Sequence, residues 1–178
     1  QGVRLVISDA CLGLRESVSE VFPEADWQRC AVHFYRNVFS HVPSKKGREV
    51  AAMLKAIHAQ ESRESASKKA VDVVGKLKAI KLKKSAELVE DCIEETLTYY
   101  QYPSQHWLKL KTNNPMERLM KEARRRTNVV GAFPDGHSAL MLVAARLRHV
   151  YATHWGTRKY MNMDLLKEMD REHEYAAA

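Results

Sequence analysis

The sequence has few turn-forming residues and no long apolar run. It contains seven glycines and five prolines in 178 residues, with no glycine-rich phosphate loop, no serine-hydrolase elbow and no internal repeat. No apolar segment approaches the length of a membrane span, and no signal peptide is visible. We therefore exclude a P-loop nucleotide-binding protein and expect a cytoplasmic protein without a membrane partner.

Cysteine is also scarce, with three residues at unrelated spacings. An odd number without a pattern does not form a disulfide framework and indicates a reducing cytosol. Cys30 and His33 have the Cys-x-x-His spacing of zinc ligands, but a structural zinc site needs four ligands and no second pair follows. The alternatives are a zinc-supported interaction domain and a packed or hydrogen-bonded Cys/His pair.

Positive charge exceeds negative charge, with 29 lysines and arginines against 22 acidic residues and a net charge of +7. This excess favours a polyanionic partner such as DNA, although basic proteins without such a partner are common. The length indicates one domain with room for an inserted subdomain.

The amino-terminal part alternates between strand and helix patterns. Residues 3–8 form a β-branched run that predicts a central strand buried on both faces, ending at Asp9. A helix over 14–22, a strand over 25–32 and a helix over 33–39 come next, which is typical of an α/β domain. Ligand sites in such sheets form at the carboxyl ends of strands, so Asp9 is a candidate site residue. The alternative is a helix-capping or turn-forming aspartate.

Residues 43–104 have a different pattern, with apolar residues at helical spacing and many lysines. We predict two or three antiparallel helices here, inserted between the α/β part and the carboxyl-terminal part of the chain. The lysine runs fit solvated helix faces, and contact with DNA is the alternative.

The stretch 111–133 predicts a helix that carries one carboxylate among many cations. Asn114 is the expected cap, Pro115 suits the first helical position, and Glu117 lies in the first turn. The basic residues after it are Arg118, Lys121, Arg124, Arg125 and Arg126. This arrangement suits an acidic metal ligand beside a phosphate backbone, whereas Glu117 could also close a capping box. A loop over 129–136, a helix over 138–154 and a tail with one weak amphipathic helix are expected next.

Four groups of these residues, in this order, resemble the bacterial Mutator-type insertion-sequence transposases. They are Ser8-Asp9-Ala10 with Gly13-Leu14, Gln28 to His33 with Arg36-Asn37, Thr112-Asn113 with Glu117-Arg118, and Arg124 to Thr127 with Val129-Val130-Gly131 and Phe133-Pro134. The resemblance extends from residue 3 to about residue 159 and is weakest in the helical block.

The resemblance implies a DDE transposase with an RNase H-like catalytic core. Asp9 would be the second catalytic carboxylate and Glu117 the third, and both would bind Mg²⁺ or Mn²⁺. Cys30 and His33 would be a structural motif beside the site. The five basic residues of the stretch 111–133 would bind the DNA of the transposon ends and the target. A bacterial, nucleoid-associated homo-oligomer is the form that the resemblance implies.

The expected fold is α/β, a partial RNase H-like core with an all-helical insertion, mostly helical overall. Residues 1–42 would form the core, 43–104 the insertion, 105–160 the glutamate helix and a closing core helix, and 161–178 the tail. The resemblance places the first catalytic aspartate and three strands upstream, so we expect the isolated chain not to transpose. Cys11 stands where the family often has histidine, which leaves its role open. A non-catalytic, basic, helical DNA-binding module is the alternative function.

Overall fold

The computed structural model describes residues 2–157 and 159–177, which form short strands and many helices. The elements are β1 (Leu5–Ser8), α1 (Leu12–Val21), β2 (Asp26–Arg29), α2 (Ala31–Phe39), α3 (Gly47–His58), α4 (Arg63–Ala79), α5 (Lys83–Cys92), α6 (Trp107–Leu110), α7 (Asn114–Val130), α8 (Gly136–Tyr151), α9 (His154–Thr157) and α10 (Asp164–Ala177). Short 3-10 turns lie at Ser44–Lys46, Glu94–Thr96, Thr98–Gln101 and Ser104–His106. Two compact units, Gln1–Thr112 and Asn113–Ala178, divide the chain.

The strands β1 and β2 pair in parallel through the crossover helix α1, which confirms the predicted α/β alternation. Leu5 lies opposite Asp26 and Ser8 opposite Arg29. The prediction that β1 is buried on both faces is wrong, because Leu5 to Ile7 are only half-buried and Ser8 alone in this strand is buried. Among the described residues β2 is the one strand that pairs with β1.

The second strand is shorter than predicted, and its helix starts earlier. Cys30 occupies the position before α2 in an extended conformation, and the helix begins at Ala31 instead of residue 33. The backbone explains this change: the Cys30 N–H donates to the Ser8 carbonyl at 2.7 Å, and the Phe34 N–H donates to the Cys30 carbonyl at 3.0 Å. Cys30 therefore makes the last hydrogen bond of the strand pairing through its N–H and the first hydrogen bond of α2 through its carbonyl.

The helical block folds into three consecutive helices, α3, α4 and α5, that share the core of the first unit. The Ser62 hydroxyl caps α4 by accepting the Ser65 N–H at 3.1 Å. The fully buried apolar side chains of this core include Phe34, Val38, Val50, Leu54, Ile57, Leu77, Ala86 and Val89. Burial of apolar surface is the main force that holds such helices together, and it contributes about 25 cal/mol of stabilising free energy per Å² removed from water.

The second unit contains the predicted glutamate helix, with different ends. Asn113, not Asn114, occupies the cap position of α7, and its side chain makes no capping hydrogen bond. The helix continues to Val130 and ends at Gly131, whose φ of 75° suits glycine. Asp135 then caps α8 by accepting the Ser138 N–H at 2.6 Å, so the predicted loop over 129–136 is shorter than expected.

No helix in the described parts of the chain combines the length and apolarity needed to cross a bilayer. All three cysteines are free thiols, with Cys11 exposed, Cys30 buried and Cys92 half-buried.

Candidate active-site residues and a basic groove

Asp9 lies directly after β1, at the carboxyl end of the parallel pair, and its side chain is exposed. Its Oδ1 accepts the Ala10 N–H at 2.8 Å. The helix α1 begins three residues later, with Cys11 at its cap position, so Asp9 does not cap this helix. The side chain is therefore an accessible carboxylate at the sheet edge where ligand sites of α/β proteins form.

A network of charged side chains holds the strand ends beside Asp9. Glu95 accepts hydrogen bonds from Arg15 of α1 at 3.0 Å and from Arg29 of β2 at 3.1 Å. Arg29 is buried, and Trp27 donates its indole N–H to the Ser8 hydroxyl at 2.9 Å. Because a buried arginine needs a partner, Glu95 fixes the position of β2 relative to α1.

A second, uncharged network joins β2 to the turns that follow the helical block. The side chain of Gln28, fully buried, donates to the Thr96 carbonyl at 2.7 Å and accepts the Tyr99 N–H at 2.9 Å. Thr98 adds a hydrogen bond from its hydroxyl to the Trp27 carbonyl at 3.0 Å. These contacts position the strand end that precedes Cys30, and sequence reasoning did not identify them.

Cys30 and His33 lie at the start of α2, and they do not form an accessible pair of metal ligands. Cys30 is fully buried and His33 half-buried. Within the described residues no group of three or more His, Cys, Asp or Glu side chains is placed to hold a metal ion. The supporting role of Cys30 and His33 stays a prediction.

Glu117 lies in the first part of α7 and is half-buried. Its N–H donates to the Asn113 carbonyl at 3.2 Å, the first hydrogen bond of the helix. With Asn113 at the cap position, Glu117 is the fourth helical residue, whereas a capping box needs the glutamate at the third. The positive end of the helix dipole lies at this end of α7 and attracts a carboxylate such as that of Glu117.

The five predicted DNA-binding residues are all exposed on α7. The 3.6-residue period places Lys121 and Arg124 on the same face as Glu117. Arg125 and Arg126 differ from the other three, because both approach the carboxylate of Glu122, at 2.9 Å and 3.5 Å.

Glu122 is a residue that sequence reasoning missed. Its side chain is 25% exposed, and besides the contacts on α7 it binds Arg146 of α8, with Nη2 at 2.6 Å and Nε at 2.7 Å. Hydrogen bonds from Arg125 and then Arg146 hold the pKa of Glu122 down at about 2. The three-residue spacing to Arg125 was a possible signal, whereas the contact with Arg146 depends on the packing of α7 on α8.

The second unit has a groove that includes Glu122 and Arg125 of this charged cluster. It has a volume of about 440 Å³ and is lined by Arg118, Leu119, Lys121, Glu122, Arg125 and Val150. Three of its six lining residues are cations, so the groove can receive an anionic group of modest size.

The donor types at Asp9 and Glu117 fit a hard divalent cation, because Mg²⁺ and Mn²⁺ prefer carboxylate oxygens. Asp9 belongs to the first unit and Glu117 to the second. Their approach to one another therefore stays a prediction.

The sequence matches the family described as "Transposase, Mutator family" over residues 1–156. It is 39% identical over 168 residues to the transposase of insertion sequence ISRM5 from Rhizobium meliloti, covering 94% of this chain and 42% of that protein. The transposase of IS1081 from Mycobacterium tuberculosis is 36% identical over 165 residues, which are 93% of this chain and 40% of that protein. The transposase of IS256 in Tn4001 from Staphylococcus aureus is 34% identical over 170 residues, which are 92% of this chain and 42% of that protein.

The chain thus spans about two fifths of the length of these curated relatives. The family match covers both units up to α9, and with it the strand end at Asp9 and the whole of α7. The chain belongs to the Mutator family of transposases.

Proposed function

We propose that this chain is part of an enzyme that cuts and joins the DNA of an insertion sequence by DDE chemistry. The observation that carries the proposal is the accessible carboxylate of Asp9 at the carboxyl end of a parallel strand, in a chain of a transposase family. The two strands with their crossover helix would be part of an RNase H-like core, and residues 43–104 its helical insertion.

Asp9 and Glu117 would hold divalent metal ions, Mg²⁺ or Mn²⁺. Such ions activate a water or a DNA 3′-hydroxyl for attack on a phosphate and stabilise the leaving oxygen. The role of the chain is to present carboxylate oxygens from two distant segments. Glu95 and Gln28 support this by fixing the strand ends near Asp9, and Glu117 lies in the first turn of α7.

The exposed cations of α7 would bind the phosphates of the transposon ends and the target DNA. Contacts with phosphates position DNA without reading its sequence, so α7 would orient the duplex beside Glu117. The complete transposase would act as a homo-oligomer at the nucleoid.

The 178 residues contain two of the three carboxylates that the resemblance implies. We therefore expect the isolated chain to bind DNA without cutting it.

The test uses the complete transposase and its insertion-sequence ends, with Asp9→Asn and Glu117→Gln as the variants. Both changes keep side-chain size and remove the charge, so cleavage should fall by at least about a thousandfold while duplex binding persists. Asp72→Asn on α4 and Glu87→Gln on α5 are matched controls, because both residues are exposed and lie in the helical block.

Normal cleavage by either active-site variant would overturn the assignment of that residue. Binding without any cleavage by the unchanged complete protein, with metal present, would support the non-catalytic module instead.

A further inference from the structure

Glu122 is a carboxylate in the middle of the basic surface of α7. At this position its negative charge would repel the phosphates of a bound DNA. Its neighbours explain how it is accommodated, because guanidinium groups from two helices converge on it. Neither Glu122 nor Arg146 is among the residues to which DNA binding or metal binding was assigned above.

Two arginines contact Glu122 through two nitrogens each, and only Arg125 spans both carboxylate oxygens. Arg125 places Nε at 2.9 Å from Oε2 and Nη2 at 3.0 Å from Oε1. Such a fork fixes the plane of a guanidinium as well as its distance. Arg146 places Nε and Nη2 at 2.7 and 2.6 Å from the same oxygen, Oε1, and so anchors the carboxylate from α8.

The fork of Arg125 leaves hydrogen-bond donors for a further anion. A guanidinium has about five N–H donors, and the fork uses two of them. The side chain of Arg125 also lines the groove together with Arg118 and Lys121. One carboxylate serves Arg125 and Arg146, so positive charge remains in excess beside the groove.

We propose that Glu122, anchored by Arg146 of α8, is a positioning residue that holds Arg125 in a fixed orientation, so that the groove on α7 binds one backbone phosphate of DNA. The inference rests on the proposed function, because it assigns a phosphate subsite to the DNA-binding helix. Glu122 lines the same groove but acts through Arg125, which carries the positive charge that the phosphate needs.

The alternative role of Glu122 is charge compensation alone, and the two roles predict effects of opposite sign. Removal of a negative charge should strengthen DNA binding if Glu122 only offsets its neighbours. Removal of a positioning residue should weaken binding in spite of the added net positive charge.

The experiment measures the affinity of the 178-residue protein for a duplex of arbitrary sequence in EDTA over a range of salt concentrations. Glu122→Gln should bind about tenfold more weakly, with a salt slope lower by about 0.9, the value for one phosphate. Glu64→Gln on α4 is the control, since it removes the same charge from an exposed carboxylate bound to Lys68 at 2.6 Å. It should bind as tightly as the unchanged protein or slightly more tightly.

Glu122→Asp separates position from charge and also covers the case in which Glu122→Gln fails to fold. It keeps the charge but withdraws the carboxylate by one methylene, so binding should again weaken. Circular dichroism checks the helix content of both variants.

Binding by a folded Glu122 variant that equals or exceeds that of the unchanged protein would overturn this inference alone. Absence of duplex binding by the unchanged protein would overturn it together with the DNA-binding part of the proposed function. The cleavage experiment on Asp9 and Glu117 is independent of both results.

Discussion

The hydroxyl of Tyr35 lies 2.9 Å from Nδ1 of His58, in the interface between α2 and α3. On the other side of the ring, Nε2 lies 2.9 Å from the Thr96 hydroxyl, which donates its own hydrogen to the Ile93 carbonyl at 2.6 Å. Thr96 therefore accepts from Nε2–H, and Nδ1 faces the Tyr35 hydroxyl, which also donates to the Leu54 carbonyl at 3.1 Å. Both ring nitrogens of His58 thus have polar neighbours inside the first unit.

This arrangement predicts that acid destabilises the first unit. Burial lowers the pKa of His58 to about 4, with the Leu54 carbonyl opposing the shift and the nearby Lys111 adding to it. Because the folded pKa lies below the unfolded value, the stability from neutral His58 is complete above about pH 6.5 and is lost as the pH falls towards 4.

The measurement is the free energy of unfolding in urea at pH 7.5 and pH 4.5. The unchanged protein should lose about 2–3 kcal/mol more than His58→Gln over this interval. His41→Gln is the control, since His41 is exposed on the turn after α2 and should leave the pH dependence of the unchanged protein intact. Equal pH dependence in His58→Gln and the unchanged protein would contradict this assignment of the buried ring.

Gln28→Leu should destabilise the first unit by about 3 kcal/mol, because it leaves the Tyr99 N–H and the Thr96 carbonyl buried without their partner. Leucine has a similar volume, so the loss would come from hydrogen bonding more than from packing. Urea unfolding at neutral pH measures the effect. Gln101→Leu, at an exposed position of the same turn region, should change stability by less than about 0.5 kcal/mol.

Two positions on α4 test whether the helical block shares the core of the first unit. Leu77 is fully buried, so Leu77→Ala should cost about 3 kcal/mol through lost burial and a cavity. Val71 is 72% exposed on the same helix, and Val71→Ala should stay within about 0.5 kcal/mol. Similar losses for both changes would mean that α4 does not pack as described.

Arg124→Gln should weaken duplex binding and lower the salt slope by about 0.9, because Arg124 is an exposed cation on the face of Glu117. Lys68→Gln removes the same charge from α4, where the ammonium group is bound to Glu64. A mobility-shift titration at several salt concentrations compares the two variants. An equal effect of both would favour the lysine-rich helical block as a DNA contact.

The local pattern of the sequence predicts much of this fold. The β-branched run before Asp9 predicts β1, and helical spacing in residues 43–104 predicts helices there, as the structure has them. The cap of α7 is displaced by one residue, because the two adjacent asparagines Asn113 and Asn114 offer the same local chemistry.

Contacts between distant residues are the part that the sequence pattern does not reveal. Gln28 and Tyr99 are 71 residues apart, and Glu122 and Arg146 are 24 apart on different helices. A glutamine in a strand or a glutamate on a basic helix has the same local pattern whether it is buried or solvated. The partners become visible only when packing brings the elements together.

The hydrogen bonds of Gln28 also bear on whether the helical block can be exchanged for another sequence. A shortened chain without residues 94–101 would lose the backbone groups of Thr96 and Tyr99 that Gln28 binds. The end of β2 would then lose the hydrogen bonds that position it. A graft that keeps these eight residues and replaces only α3 to α5 still loses His58, whose ring binds Thr96. Exchange of the block therefore requires compensating changes at Thr96 and at the strand end that carries Gln28.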